Sequence, residues 1–212
     1  MMVFAKLAMN TIFKTWVWKM DFSIDLNGET LEFFEDEHLY LVDGIVVPSI
    51  TQILNVKFGG KYKDVPHEVL RKAAERGIRV HSSIEYFAKT GETDEDSAEF
   101  AKLVRKMDIS LVGSEIPVIL HSRVIAAGRL DLLITKDEKI GLADIKTTAK
   151  LDKTYLFYQL NLYRLAFMQC YDAQIDFLAG IHLRNGASYA EIPIDEAEAE
   201  NLVNLYLEGK KC

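Results

Sequence analysis

The chain has few thiols: two cysteines in 212 residues, Cys170 within an apolar stretch and Cys212 at the terminus. Two residues so placed supply no disulfide framework, and a reducing, cytoplasmic setting is the expectation. A positive balance is missing as well, the formal charge being -7. Because lysine and arginine supply most nonspecific affinity for phosphate, this composition argues against a general polyanion binder and requires any nucleic-acid partner to meet a local basic surface. The first eighteen residues are rather apolar, but Lys6 and Lys14 interrupt them and no small-residue cleavage site follows, so neither export nor membrane contact is expected. Two other readings of this segment are a translational extension preceding a natural start at Met20 and an amphipathic helix that packs on a partner or a membrane surface. No P-loop or helicase segment occurs, so any unwinding belongs to another protein.

What is present is a globular composition, 49% hydrophobic and 27% charged. It is read as an N-terminal extension over residues 1–20 and one domain over 21–212, of mixed α/β (α+β) class. Residues 31–47 alternate like a small antiparallel element turning at Asp43 and Gly44. A short helix capped by Ser49 then runs to about residue 54 and closes at Gly59 and Gly60. Residues 57–79 carry seven basic residues against three acidic ones, the local basic surface of an acidic protein. Pro66 opens a helix expected to reach about residue 89 with a break or kink near Gly77. An acidic, solvated stretch from Asp94 leads to a helix ending near Met107. Strand patterns cover 115–120, 124–134 and 140–147, a helical one 153–170, strands 175–183 and 189–194 flank Asn185 and Gly186, and a helix closes the chain over 196–208.

The chemistry concentrates at Gly128-Arg129-Leu130-Asp131 and Asp144-Ile145-Lys146, which read as two arms of one hairpin. With the turn centred between Asp137 and Glu138, Asp131 and Asp144 stand opposite each other, and like charges at that separation call for a cation between them. Lys146 lies two residues from Asp144 and returns to the same face, while Leu132, Ile134, Ala143 and Ile145 turn to the core. A register shift of one residue would undo this. Carboxylates suit Mg²⁺ or Mn²⁺, which activate water and steady a leaving oxygen, and a lysine beside them offsets transition-state charge. On spacing alone, a solvated salt bridge among the three residues is the other reading.

The run GRLDLL, thirteen residues from the first acid to DIK, and Gln159 with Tyr163 on the following helix resemble the PD-(D/E)XK nuclease superfamily, in particular its RecB-like, phage-type exonuclease branch. RGIRVHSSIE around His81 and YLVDGIVVPSITQIL ending at Leu54 are similar to segments of that branch, so the likeness spans about residues 39–167. Asp144 stands where the family often has Glu, and the proline that classically precedes the first acid is missing. The resemblance implies a restriction-endonuclease-like core, a central mixed sheet flanked by helices, with a small N-terminal hairpin and helix. It also implies His81, Asp131, Asp144 and the carbonyl of Ile145 as metal ligands, and Asp131, Asp144 and Lys146 as the catalytic set. Gln159 and Tyr163 would hold DNA and orient the site.

Glu85, one helical turn beyond His81, and Glu115 are secondary ligand candidates, and Arg129 a phosphate contact, each with an ordinary ion pair or solvated group as the other reading. His38, His67, His121 and His182 have no motif context and read as surface or core histidines. The expected activity is Mg²⁺- or Mn²⁺-dependent exonucleolytic hydrolysis of DNA in recombination or repair of phage or mobile-element type. A structure-specific endonuclease of the same fold and a non-catalytic nucleic-acid-binding subunit are the alternatives, and the shared core separates reaction from substrate geometry poorly. A recombinase or helicase partner, and assembly into a homo-oligomer, are expectations carried by no single residue.

Overall fold

Tight turns organise the first part of the chain. The computed structural model describes residues 21–209, so the expected extension over 1–20 lies outside the described residues. Strands β1 (Phe22–Leu26), β2 (Glu29–Phe34), β3 (Leu39–Val42) and β4 (Ile45–Val47) form an antiparallel sheet in that order. Asn27 and Gly28, and again Asp43 and Gly44, take positive φ values, the conformation that two-residue hairpin turns need to match strand twist. β1 adds a strand to the element expected from residue 31 onward. Helix α1 (Ile50–Phe58) starts on a reciprocal cap: Ser49 Oγ accepts from Gln52 N and Gln52 Oε1 accepts from Ser49 N. It runs four residues beyond its expected end.

Helix α2 (His67–Thr90) passes through Gly77 without interruption and stops at Gly91, where φ is 77°. α3 (Ala98–Lys106) follows. The central sheet then builds from β5 (Ser110–His121), β6 (Ile125–Lys136), β7 (Lys139–Lys146), β8 (Phe177–Leu183) and β9 (Ala187–Ile192), in sequence order. Its neighbours are antiparallel except β7 and β8, which are parallel and joined by the crossover helix α4 (Lys153–Tyr171). α5 (Glu196–Gly209) ends the described chain. The result is a mixed α+β core with a separate N-terminal sheet.

Both faces of the central sheet are covered, which explains its nearly continuous apolar strands. On one side Leu156, Leu160 and Phe167 of α4 pack with Ile50 and Ile53 of α1, Leu202 of α5 and Leu31 and Phe33 of the small sheet. On the other, Val80 and Ile84 of α2 and Phe100 and Val104 of α3 meet Leu132, Ile134, Ala143 and Ile145. Among the described residues no helix is long and apolar enough to cross a membrane.

The sheet forks at one end. The β6–β7 register runs from Lys136↔Lys139 to Leu132↔Ala143 and stops there. Beyond it β6 stays with β5, as Leu130↔Ile116 and Arg129↔Pro117, while β7 stays with β8 as far as Lys146↔His182. Asp131 and Asp144 are the first residues past the last rung. The expected register is the observed one, and the strands part where the two acids begin.

Candidate active site

The fork is closed by a side chain rather than by backbone. Asp131 Oδ2 accepts a hydrogen bond from Ile145 N at 2.7 Å, so the carboxylate takes an amide that the ladder would otherwise have satisfied. Across β6 from Asp131 sits Glu115, flanked by the pairs Ser114↔Leu132 and Ile116↔Leu130. Glu115 has φ of 52°, a left-handed conformation inside a strand that costs roughly 1–2 kcal/mol for a non-glycine residue. From α2, one turn past Gly77, His81 reaches the same place: its Nδ1 is 3.7 Å from Glu115 Oε1 and 3.7 Å from Asp131 Oδ1.

One ligand atom from each of His81, Glu115 and Asp131 lies within 4.8 Å of the others. Two carboxylates and an imidazole form a hard, anionic donor set of the kind that suits a divalent cation. The imidazole is also oriented from behind. Its Nε2 is 3.2 Å from the carbonyl oxygen of Ile145, and since a carbonyl only accepts, Nε2 carries a proton and Nδ1 is the atom turned to the acids. Burial pulls the His81 pKa down, but Asp131, Glu115 and Asp144 outweigh it and raise it to about 9. In the absence of a cation, therefore, a proton on Nδ1 offsets the carboxylates.

Asp144 and Lys146 form the other half of the site. Asp144 is 2% exposed, and its Oδ2 lies 2.5 Å from Lys146 Nζ, an ion-pair distance without the angle of a hydrogen bond. Burial holds the Asp144 carboxyl above its ordinary range, against the opposing effect of Lys146. Burial alone would lower the Lys146 pKa, but Asp144 and Asp131 raise it, so the amine is an ammonium at neutral pH. Asp144 thus faces the lysine, and the three-ligand cluster forms with Glu115 rather than with Asp144.

These groups line an open cleft of about 650 Å³. Gln159 and Tyr163, one turn apart on α4, border it; Gln159 is 7% exposed, yet its Oε1 has no hydrogen-bond partner among the described residues, a buried acceptor that a bound molecule or water would satisfy. Tyr163 lies over Gly128, where a Cβ would come within 2.9 Å of the ring, which accounts for a glycine ahead of Arg129. Arg129 Nε pairs with Glu115 Oε2 at 2.7 Å, and its guanidinium sits 5.3 Å from the Phe33 ring, tying the small sheet to the site. Glu85 also borders the cleft but is paired with Lys89 at 2.5 Å, outside the ligand cluster.

Two lining residues carry no sequence signal of their own. Tyr155 precedes Gln159 by four residues on the same face of α4, a spacing that extends the Gln159–Tyr163 pair by one turn. His38 comes from the loop after β2, which only tertiary contact brings here. Of the other histidines, His121 pairs with Glu29 and His182 lies 2.7 Å from the Thr148 carbonyl. The basic segment over 57–79 is largely paired: Arg71 and Lys72 with Glu68, Arg79 with Asp96, and Lys61 with Asp152.

The chain matches no protein-family model and none of the curated proteins. Among solved structures, one titled "Crystal structure of SSO0001" is similar at a TM-score of 0.44 and 16% identity, covering 76% of this chain and 74% of that one.

Proposed function

We propose that this protein is a metal-dependent deoxyribonuclease of PD-(D/E)XK type that hydrolyses phosphodiester bonds in DNA, acting as an exonuclease. The observation that carries the reading is the convergence of His81, Glu115 and Asp131 from three separate elements beside a lysine ammonium in one open cleft. Surface acids cluster often, but a strained Glu115, an oriented imidazole and a carboxylate replacing a ladder rung are costs that an incidental salt bridge does not explain.

His81 Nδ1, Glu115 and Asp131 would hold Mg²⁺ or Mn²⁺. Such an ion, when bound, polarises phosphate and lowers the pKa of water. The chain's own residues supply the rest. Lys146, kept protonated by Asp144, presents positive charge where a phosphorane would develop negative charge, in a partly buried setting where that charge is poorly screened. Asp144 acts here by holding the ammonium in place. Arg129 fixes one oxygen of Glu115 and leaves the other toward His81. Gln159 Oε1, a buried acceptor, would take a hydrogen bond from a donor on a bound strand.

The test is incubation of the purified protein with labelled DNA and Mn²⁺, with EDTA as control. Linear, nicked and circular duplexes and single strands are compared. EDTA-sensitive release of nucleotides from ends, with circles left intact, is the expected result. Cutting of circles would replace the exonuclease reading with an endonuclease, and no cutting of any form would remove the nuclease reading.

A further inference from the structure

We infer that the cleft continues past Lys146 into a pocket that stacks one unpaired base of a single DNA strand, adjacent to the phosphate at the acidic cluster. What lies in the cleft rests on the nuclease reading; the pocket has chemistry of its own. It measures about 340 Å³ and shares Thr51, Lys146 and Tyr155 with the main cleft, so the lysine and the tyrosine form a sill between the two. Its size is at the low end of the roughly 300–1,000 Å³ typical of small-ligand sites, suiting a nucleotide rather than a helix.

The walls are aromatic. Phe58 and Tyr155 meet edge to face at 5.2 Å between centroids, and Tyr62, which is 49% exposed, stands at the rim. Lys61 Nζ lies 5.4 Å from the Tyr62 ring centre and 5.9 Å from that of Tyr155. A further depression of about 600 Å³ continues from Lys61, Tyr62 and Asp152 and adds Lys150 and Lys153. Three lysines thus follow Lys146 along one path in a protein of net charge -7. The acid among them, Asp152, is engaged with Lys61 and caps α4 by accepting from Tyr155 N at 2.9 Å. Aromatic faces interleaved with lysines are the recognition chemistry of single strands: rings take bases and ammonium groups follow phosphates. A base inside a duplex has both faces covered by its neighbours, so a base that enters this pocket between the rings has left the stack and its partner.

The experiment uses the full chain with Ca²⁺ in place of Mg²⁺ or Mn²⁺, and twelve-residue thymidine oligonucleotides carrying one 2-aminopurine at each position in turn. Quenching is expected at one or two positions, retained by Tyr62→Phe and lost in Tyr62→Ala, with binding of the single strand weakened by roughly 5- to 150-fold. Binding of a blunt duplex should not change with either substitution. Equal quenching by Tyr62→Ala and the parent, or an equal loss on blunt duplex, overturns the inference. Should Mn²⁺ cleave no DNA while quenching still depends on Tyr62, the nuclease reading falls and the pocket stands. Should Mn²⁺ cleave DNA while quenching is independent of Tyr62, the pocket falls and the nuclease reading stands.

Discussion

The two halves of the cleft floor meet the same problem in opposite ways. Asp144 and Lys146 are two residues apart on β7, the acid buried and the amine half-buried at the cleft, and they neutralise each other within the fold. His81, Glu115 and Asp131 come from α2, β5 and β6, are partly exposed, and gather two negative charges around one imidazole. The first half is complete without any ligand. The second is compensated by Arg129 on Glu115 and by a proton on His81, and a cation can replace that proton. Stability and metal dependence should therefore reside in different residues.

The largest effects should come from breaking either half. Asp131→Asn and Lys146→Ala are each expected to lower Mn²⁺-dependent cleavage by on the order of a thousandfold, measured as initial rate on labelled DNA. They should differ in stability. Lys146→Ala strands a buried carboxylate and is expected to cost roughly 3–5 kcal/mol in denaturant unfolding, whereas an apolar replacement of both partners, Asp144→Leu with Lys146→Met, should recover most of that stability without activity. Asn at 131 keeps an oxygen for Ile145 N and should cost less. Equal destabilisation by Asp131→Asn and Lys146→Ala would erase the contrast.

Next in size, His81→Ala should raise the Mn²⁺ concentration for half-maximal activity by roughly 10- to 100-fold or more, since even partners of metal ligands carry that much affinity. With EDTA present, the same histidine should make stability depend on pH. Its folded pKa of about 9 lies above the ordinary 6.5, so its contribution is full below 6.5 and disappears as pH rises to 9. The melting temperature of the chelated protein should fall by several degrees across that window, and His81→Ala should flatten the fall. The smallest effect is expected at Glu85, which is paired with Lys89: Glu85→Ala should leave rate and metal requirement within about twofold, as surface substitutions usually do. A metal requirement shifted as far as in His81→Ala would bring Glu85 into the ligand set.

Much of this is legible in the sequence where the physics is local. Alternation and a two-residue turn determine a hairpin register, so the opposition of Asp131 and Asp144 follows from spacing, as do the Ser49 cap and the buried face of Leu132 and Ile145. Other features depend on long-range contact. The separation of β6 from β7 follows from competing pairing with β5 and β8, which no single strand encodes. Glu115 reads only as a secondary candidate because a left-handed residue in mid-strand, which helps place it across from Asp131, leaves no mark on sequence pattern. His81 is indicated by resemblance alone; its contact with the Ile145 carbonyl spans 64 positions. β1 is open to local reading, since Asn27 and Gly28 are a strong hairpin signal.

The turn at Asp137 and Glu138, both with positive φ and neither a glycine, lies six residues along β6 from Asp131, roughly 20 Å away. It nevertheless acts as the gauge that aligns the acids, because side chains alternate between faces and each rung is counted from that bend. Length is what matters there, and spelling much less. Asn-Gly in place of Asp-Glu would preserve the count and relieve the backbone, whereas one inserted residue would turn the next acid away from the cleft. A library built on this scaffold can vary the two letters among residues that tolerate positive φ, such as Gly, Asn and Asp, but should never change their number.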